Sequence, residues 1–291
     1  MTGTPAAPLR RSGMEWFTRT LFGLLLAGVA IAVLFYDPVW FASVVALVGL
    51  FAAREWHRLV RTGQMAGSQA AGGHHPIHVQ TIVTALAIVL AIVLLLNGQG
   101  WAAIAALAAG AVLSFTLAMR RSDNPLWHAA GTLYLGLPAL ALVSLRAFAP
   151  QGLHVVLGLF LIVWATDTGA LICGRMIGGP KMAPRLSPGK TWAGTIGGSL
   201  CAAAIYGLYL GLLGFNMLAG MVFALLFSIV AHCGDLLESA IKRHFGKKDS
   251  GSMIPGHGGV LDRMDSTFLA SMVLALLVFG AHLNPLFGGH S

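Results

Sequence analysis

Asp235, Glu238, Ser239 and Lys242 stand at i, i+3, i+4 and i+7, so on a helix all four line one face. Asp262 and Asp265 repeat the i, i+3 spacing after a basic stretch and a Pro255-Gly-His257-Gly258-Gly259 turn. Two carboxylate pairs on neighbouring helix ends can hold hard divalent cations, which take oxygen ligands and keep several waters for a phosphate substrate. An isolated i, i+3 acidic pair is usually a solvated helix face. Here both pairs flank Lys242, Arg243, Lys247 and Lys248 beside a glycine-rich turn, which favours metal binding over that reading. Asp167 joins the set from inside the apolar run 159–173, where a carboxylate costs at least about 2.5–3.5 kcal/mol unless it faces a polar interior. Thr166, Thr168 and Gly169 beside it mark a wet or closely packed face. Asp249 is the sixth acid of the second half, and the other four of the ten, Glu15, Asp37, Glu55 and Asp123, lie at loop or span ends and read as solvated interfacial charge.

A second cluster lies at 178–194, with Lys181, Arg185, Ser187 and Gly-Lys-Thr at 189–191. A P-loop would need glycine five residues before Gly189, and position 184 is proline, so that reading fails. What remains is a basic, glycine-containing turn that aims backbone N–H groups and Lys190 at the start of a helix. Such a turn can hold phosphate, and it serves equally as a positively charged membrane anchor.

These residues must be positioned by membrane helices. Of 291 residues, 57% are hydrophobic and 10% charged, against about 25% charged in soluble domains. At roughly 20 apolar residues per crossing, spans are expected near 17–36, 39–53, 79–96, 101–119, 126–147, 153–174, 193–214, 217–234 and 266–283. The fold class is therefore all-α, a polytopic membrane protein of about nine helices. The first run is longer than a signal-peptide apolar region and lacks a clear cleavage site, so it is expected to stay as a span. With alternate loops facing the cytoplasm, seventeen of the eighteen Lys and Arg fall on the N-terminal side and only Arg146 on the other. That asymmetry puts the N-terminus in the cytoplasm and the C-terminus outside. Residues 1–150 are expected to form five N-terminal spans, and 151–291 a catalytic region with cytoplasmic loops. The formal charge of +8 lies in short loops between spans, which suits lipid headgroups and phosphorylated ligands and argues against nucleic acid. Cys173, Cys201 and Cys233 have no CxxC spacing and read as packing residues. His74, His75 and His78 lack an acidic or cysteine partner nearby and read as part of a solvated loop at 62–78.

The stretch 239–265 resembles the signature of the phosphatidate cytidylyltransferases, or CDP-diacylglycerol synthases. That signature has a Ser, a Lys-Arg pair, a Lys-Asp pair, then Pro-x-His-Gly-Gly and Asp-Arg-x-Asp. Its positions are filled by Ser239, Lys242, Arg243, Lys248, Asp249, Pro255, His257, Gly258, Gly259, Asp262, Arg263 and Asp265. Trp164-Ala-Thr-Asp167-Thr-Gly-Ala170, the turn from Ser187 to Gly194, and Gly234-Asp235-Leu-x-Glu238-Ser239 are similar to the family's other recurring segments. The motif-level likeness covers about 164–265, and upstream only hydropathy and orientation agree.

The resemblance implies that CTP and phosphatidate become CDP-diacylglycerol and pyrophosphate. The setting it implies is the cytoplasmic face of a bacterial inner membrane, in a homodimer, with Mg²⁺ in two divalent-ion sites and room for a monovalent ion. Asp235, Asp262 and Asp265 would bind metal, with Asp167 and Glu238 as further candidates. Asp235, Lys242, Arg243, Asp249, His257 and Arg263 form the catalytic set, His257 orienting a phosphate or a metal-bound water. Ser187, Lys190, Thr191, Ser239, Lys248, Gly258 and Gly259 would bind substrate. A phosphate oxygen is already an anionic nucleophile, so no Ser-His or Cys-His pair is needed, and the sequence shows none. Two rivals stay open: another CTP-dependent lipid enzyme, such as a polyprenol or lipid kinase or a synthase for a different lipid backbone, and an ion-coupled transporter built on Asp167. A transporter would spread polar residues along several spans, whereas here they gather at one face.

Overall fold

The computed structural model describes residues 27–61, 78–121, 123–251 and 259–286. Helix α1 covers 27–35. It is followed by α2 (Pro38–Leu59), α3 (Val79–Leu96), α4 (Gly100–Met119), α5 (Pro125–Phe148) and α6 (Gly152–Met176). A hairpin of β1 (Lys181–Ala183) and β2 (Ser187–Thr191) then leads into α7 (Trp192–Leu212), α8 (Met217–His244) and α9 (Leu261–Ala275). A π-helical turn, Leu276–Gly280, prolongs α9. Among the described residues eight helices are long and apolar enough to cross a membrane. Only 27–36 of the expected first span is described, and the rest of that span, 17–26, lies outside the described residues.

The turns are set by local chemistry. Asp37 caps α2 by accepting from Val39 N–H at 2.8 Å, with Pro38 at the first helical position. Gly98, at φ 77°, lets α3 reverse directly into α4. Large apolar side chains such as Leu86, Val112, Leu200 and Leu218 point outward, as lipid-facing surfaces require.

Three expectations are corrected. The second span does not stop at 53, because Arg54, Glu55 and Arg58 continue the helix to Leu59. The ninth begins at Leu261, five positions before its apolar run, so Asp262 and Asp265 are helical. The 178–194 turn is a two-stranded antiparallel hairpin, with Lys181 opposite Thr191 and Ala183 opposite Ser187. Gly178 and Gly179, at φ 68° and 92°, turn the chain out of α6 into it. Helix α8 does run on to His244, as its i, i+3, i+4, i+7 pattern requires.

Buried side chains form two clusters, one among α5 to α9 and one among α2, α3, α4 and α5, and α9 contributes to both. Leu261 and Phe268 pack with the N-terminal helices, while Ala270 and Leu274 pack with the C-terminal ones. Close approach of α6 and α7 depends on glycine. A Cβ on Gly198 would fall 2.4 Å from the Thr166 carbonyl, so a side chain there would push α7 away from Asp167. Within the N-terminal helices a buried polar chain runs from His128 to His57 (Nδ1 to Nδ1, 2.7 Å), on to Thr84 (2.9 Å) and Thr132 (2.7 Å). Asp123 stands 3.1 Å from His128 Nε2 at its start, so this acid is paired rather than simply solvated.

The basic residues collect at one end of the bundle. Lys247 Nζ donates to the carbonyls of Arg58 (3.1 Å) and Leu59 (3.4 Å), capping α2 from the end of α8. Burial and the Arg58 charge lower its pKa. Arg146 is held at the opposite end by the carbonyls of Leu34 (3.0 Å) and Tyr36 (2.6 Å). His78 accepts from Arg61 at 3.1 Å, and burial together with that cation lowers its pKa. His74 and His75 lie outside the described residues.

Candidate active site

Four elements meet at the basic end: the hairpin, the last turns of α8, the first turns of α9 and the C-terminal half of α6. Helix α8 runs toward this end and α9 starts from it, so Asp235 and Asp265 each lie about one turn deeper than Ser239 and Asp262.

The deeper layer is acidic. Lys190 of β2 forms an ion pair with Asp235, and Ser239 Oγ donates to the same carboxylate at 3.4 Å. Ser266 joins the other two acids: its N–H donates to Asp265 at 2.7 Å, and its hydroxyl is 3.5 Å from Asp167 and 3.4 Å from Asp265. Asp167, Asp235 and Asp265 are close enough for their charges to bear on one another, and Lys190 bears on Asp167 and Asp265. The mid-span carboxylate thus faces a polar interior, as its cost in lipid demands.

The outer layer is basic and holds a cleft of about 180 Å³, lined by Leu186, Ser187, Ser239, Lys242, Arg243, Lys248 and Asp249. Lys242 Nζ is clasped by Asp262 at 2.7 Å and Glu238 at 3.2 Å. Asp262 also accepts the N–H groups of Ser250 (3.1 and 3.2 Å) and Gly259 (3.0 Å), so it orients Lys242 and ties Ser250 and Gly259 to the start of α9. Arg243 Nε donates to the Leu186 carbonyl at 3.2 Å, fastening the hairpin to α8. Arg263, the next residue after Asp262, lines a second cleft of about 140 Å³ with Phe160, Trp164, Met264 and Phe268, almost wholly apolar. The first turn of α9 thus touches both clefts: Arg263 and Met264 line the apolar one, and Asp262 clasps Lys242 of the polar one.

Residues 17–280 match the model of a family described as the cytidylyltransferase family, which covers both clefts and the helices that carry them. The chain belongs to the cytidylyltransferase family. A phosphatidate cytidylyltransferase of Brucella suis biovar 1 is 40% identical over 270 residues, 91% of this chain and 93% of that protein. One from Staphylococcus aureus (strain COL) is 43% identical over 147 residues, half of this chain and 55% of the relative.

Of the residues singled out from sequence in this cytidylyltransferase, Asp167, Ser187, Lys190, Asp235, Glu238, Ser239, Lys242, Arg243, Asp262, Arg263 and Asp265 fall on the converging elements. Lys248 and Asp249, just beyond α8, line the polar cleft. Thr191 is buried and accepts from Gly194 N–H at 3.1 Å, capping α7 rather than lining the cleft. Gly259 is held between Ser250 and Glu55. His257 and Gly258 lie outside the described residues. Sequence reasoning missed Ser250, Ser266 and Glu55. Glu55 is not solvated interfacial charge: it is 3% exposed and accepts from Leu261 N–H at 3.0 Å. A signal was present, since Ala52 and Leu59 at i−3 and i+4 mark a core face.

The donor set suits a hard cation. The carboxylates are oxygen-only, an ammonium already sits on Asp235, and both Glu238 oxygens are buried without an aligned hydrogen bond. Among the described residues no three His, Cys, Asp or Glu converge into a closed metal cage. Mg²⁺ does not need one, because it uses one or two carboxylates together with waters and substrate phosphates.

Proposed function

We propose that the protein transfers the cytidylyl group of CTP to phosphatidate, releasing pyrophosphate, with Mg²⁺ and at the cytoplasmic face of a bacterial inner membrane. The observation that carries this reading is the pair of clefts linked through the first turn of α9, whose Asp262 clasps Lys242 of the polar cleft and whose Arg263 lines the apolar one. The polar one presents Lys242, Arg243 and Lys248 to a triphosphate. The apolar one, opening among membrane helices with Arg263 in its wall, suits the acyl chains of a lipid whose phosphate is held at the boundary. The partition of basic residues supports the cytoplasmic orientation, and the bacterial relatives support the membrane assigned.

The reaction joins a phosphatidate phosphate oxygen to the α-phosphorus of CTP and breaks its bond to the β-phosphate. The nucleophile arrives anionic, so no residue has to remove a proton. The barrier is one of charge, since a triphosphate and a phosphomonoester must approach. Lys242, fixed by Glu238 and Asp262, presents an ammonium whose position is set before substrate enters, and Arg243 and Lys248 flank it to receive the pyrophosphate. Lys190, aimed by Asp235, adds a cation at the deeper layer, and Arg263, in the wall of the apolar cleft, can hold the lipid phosphate at the boundary. A divalent ion held by Asp235 and Asp265, with Asp167, Glu238 and Asp262 as neighbours, would act as a Lewis acid that screens phosphate charge. Ser187 and Ser239 offer hydroxyls to the nucleotide at the cleft wall. A homodimer is part of the same proposal, to be checked by the mass of the detergent-solubilised protein.

Mass spectrometry of lipids from purified protein given CTP, phosphatidate and Mg²⁺ tests the reaction. The expected product is a lipid heavier by one cytidylyl unit, with one pyrophosphate released per lipid. Unchanged phosphatidate, or passage of substrate across sealed vesicles without CTP consumption, would overturn it.

A further inference from the structure

The cytidylyl-transfer reading draws its charged and polar groups from α6 onward, leaving the first five helices only the wall of the apolar cleft. One side chain contradicts that division. Glu55, in the last turns of α2, reaches the α9 site across the interior of the protein. Its Oε2 accepts from Leu261 N–H at 3.0 Å and from Ser250 Oγ at 3.4 Å. Two glycines close over it. A Cβ on Gly251 would fall 2.6 Å from Oε1, and one on Gly259 would fall 2.5 Å from Oε2.

The residues that meet Glu55 are those that meet Asp262. Ser250 gives its hydroxyl to Glu55 and its N–H to Asp262, while Gly259 presses on Glu55 and gives its N–H to Asp262. An acidic group at the first N–H groups of α9 matches the positive end of the helix. It also gives a partner to a donor that has none within the helix. Lys247, donating to Arg58 and Leu59 one turn further along α2, ties the same helix end to α8.

We infer that Glu55 is a positioning residue of the active site: from α2 it fixes the first turn of α9 and the Ser250 backbone, and through them Asp262 and the Lys242 it clasps. The N-terminal helices are thus part of the catalytic geometry as well as the membrane anchor. This rests on the cytidylyl-transfer reading for its kinetic consequence, but not for the contacts themselves.

Glu55→Leu keeps the volume and removes both acceptors. It is expected to lower kcat about 10- to 100-fold, the scale of outer-shell partners, with KM for CTP within about threefold of wild type. Glu55→Gln, which keeps one acceptor oxygen, should recover part of the loss. If Glu55→Leu fails to fold, Ser250→Ala carries the test. It should lower kcat by a smaller factor, and its loss should not add to that of Glu55→Gln, because the two remove one contact. Amide exchange at Leu261 should accelerate in Glu55→Leu, which leaves that N–H without its acceptor. A fall in folded yield with kcat per folded molecule unchanged, or additive losses for Ser250→Ala and Glu55→Gln, would reduce Glu55 to a packing role and overturn the inference. A wild-type protein inactive toward CTP and phosphatidate would refute the reaction reading instead, and Leu261 exchange would then decide the anchoring by itself.

Discussion

Asp265→Asn is expected to lower CTP-dependent turnover by more than about a hundredfold, beyond what outer-shell partners of a metal usually carry. The change is nearly isosteric. Asn can still accept from Ser266 N–H, so α9 should keep its place and the variant should insert and melt close to wild type. What is lost is one negative charge from the layer where Asp265 faces Asp235 and Asp167. That layer tolerates three carboxylates because Lys190, and in the proposed reaction a divalent cation, balance them. Turnover assayed in detergent alongside a melting curve separates the two effects. Near-normal activity would sink the assignment of Asp265 to cation binding.

Lys242→Met should have the second largest effect, and on stability as well as rate. Lys242 is almost fully buried between Glu238 and Asp262, so its removal leaves two carboxylates without their cation. Breaking a buried pair by deleting one partner costs about 3–5 kcal/mol, which should appear as a marked loss of thermal stability together with loss of activity. The double variant Lys242→Met with Glu238→Gln tests the cause. Asp262 retains the N–H groups of Ser250 and Gly259, so neutralising Glu238 should restore much of the stability. Activity should stay absent, because the cleft has lost the ammonium that receives phosphate. Activity returning with stability would make Lys242 a structural residue.

How far such residues could be read from sequence follows from what each feature rests on. Spans are visible because lipid-facing helices must be apolar all along, and a run such as 79–96 has no other use in water. The α8 face was readable because four polar residues at helical spacing cannot all point into lipid. Boundaries were not, since charged residues such as Arg54 and Arg58 extend a helix beyond the apolar stretch by which spans are counted. The hairpin was hidden because its strands are three and five residues long and carry proline and glycine, leaving no period to detect. Glu55 was misread for a different reason. Its environment is made by α9, some two hundred positions away, and only the i−3 and i+4 neighbours hint that its face is buried. Ser266 escaped because a serine after an acid has many ordinary uses; only the fold brings Asp167 to its hydroxyl.

In the proposed reaction the bond made joins lipid phosphate to the α-phosphorus of CTP. Purified protein in phosphatidate vesicles, supplied with Mg²⁺ and with CTP radiolabelled in turn at the α and γ phosphorus, tests it most directly. The α label is expected to move to the lipid while the γ label leaves entirely as pyrophosphate. Transfer of the γ label to the lipid would contradict it and make the protein a lipid kinase.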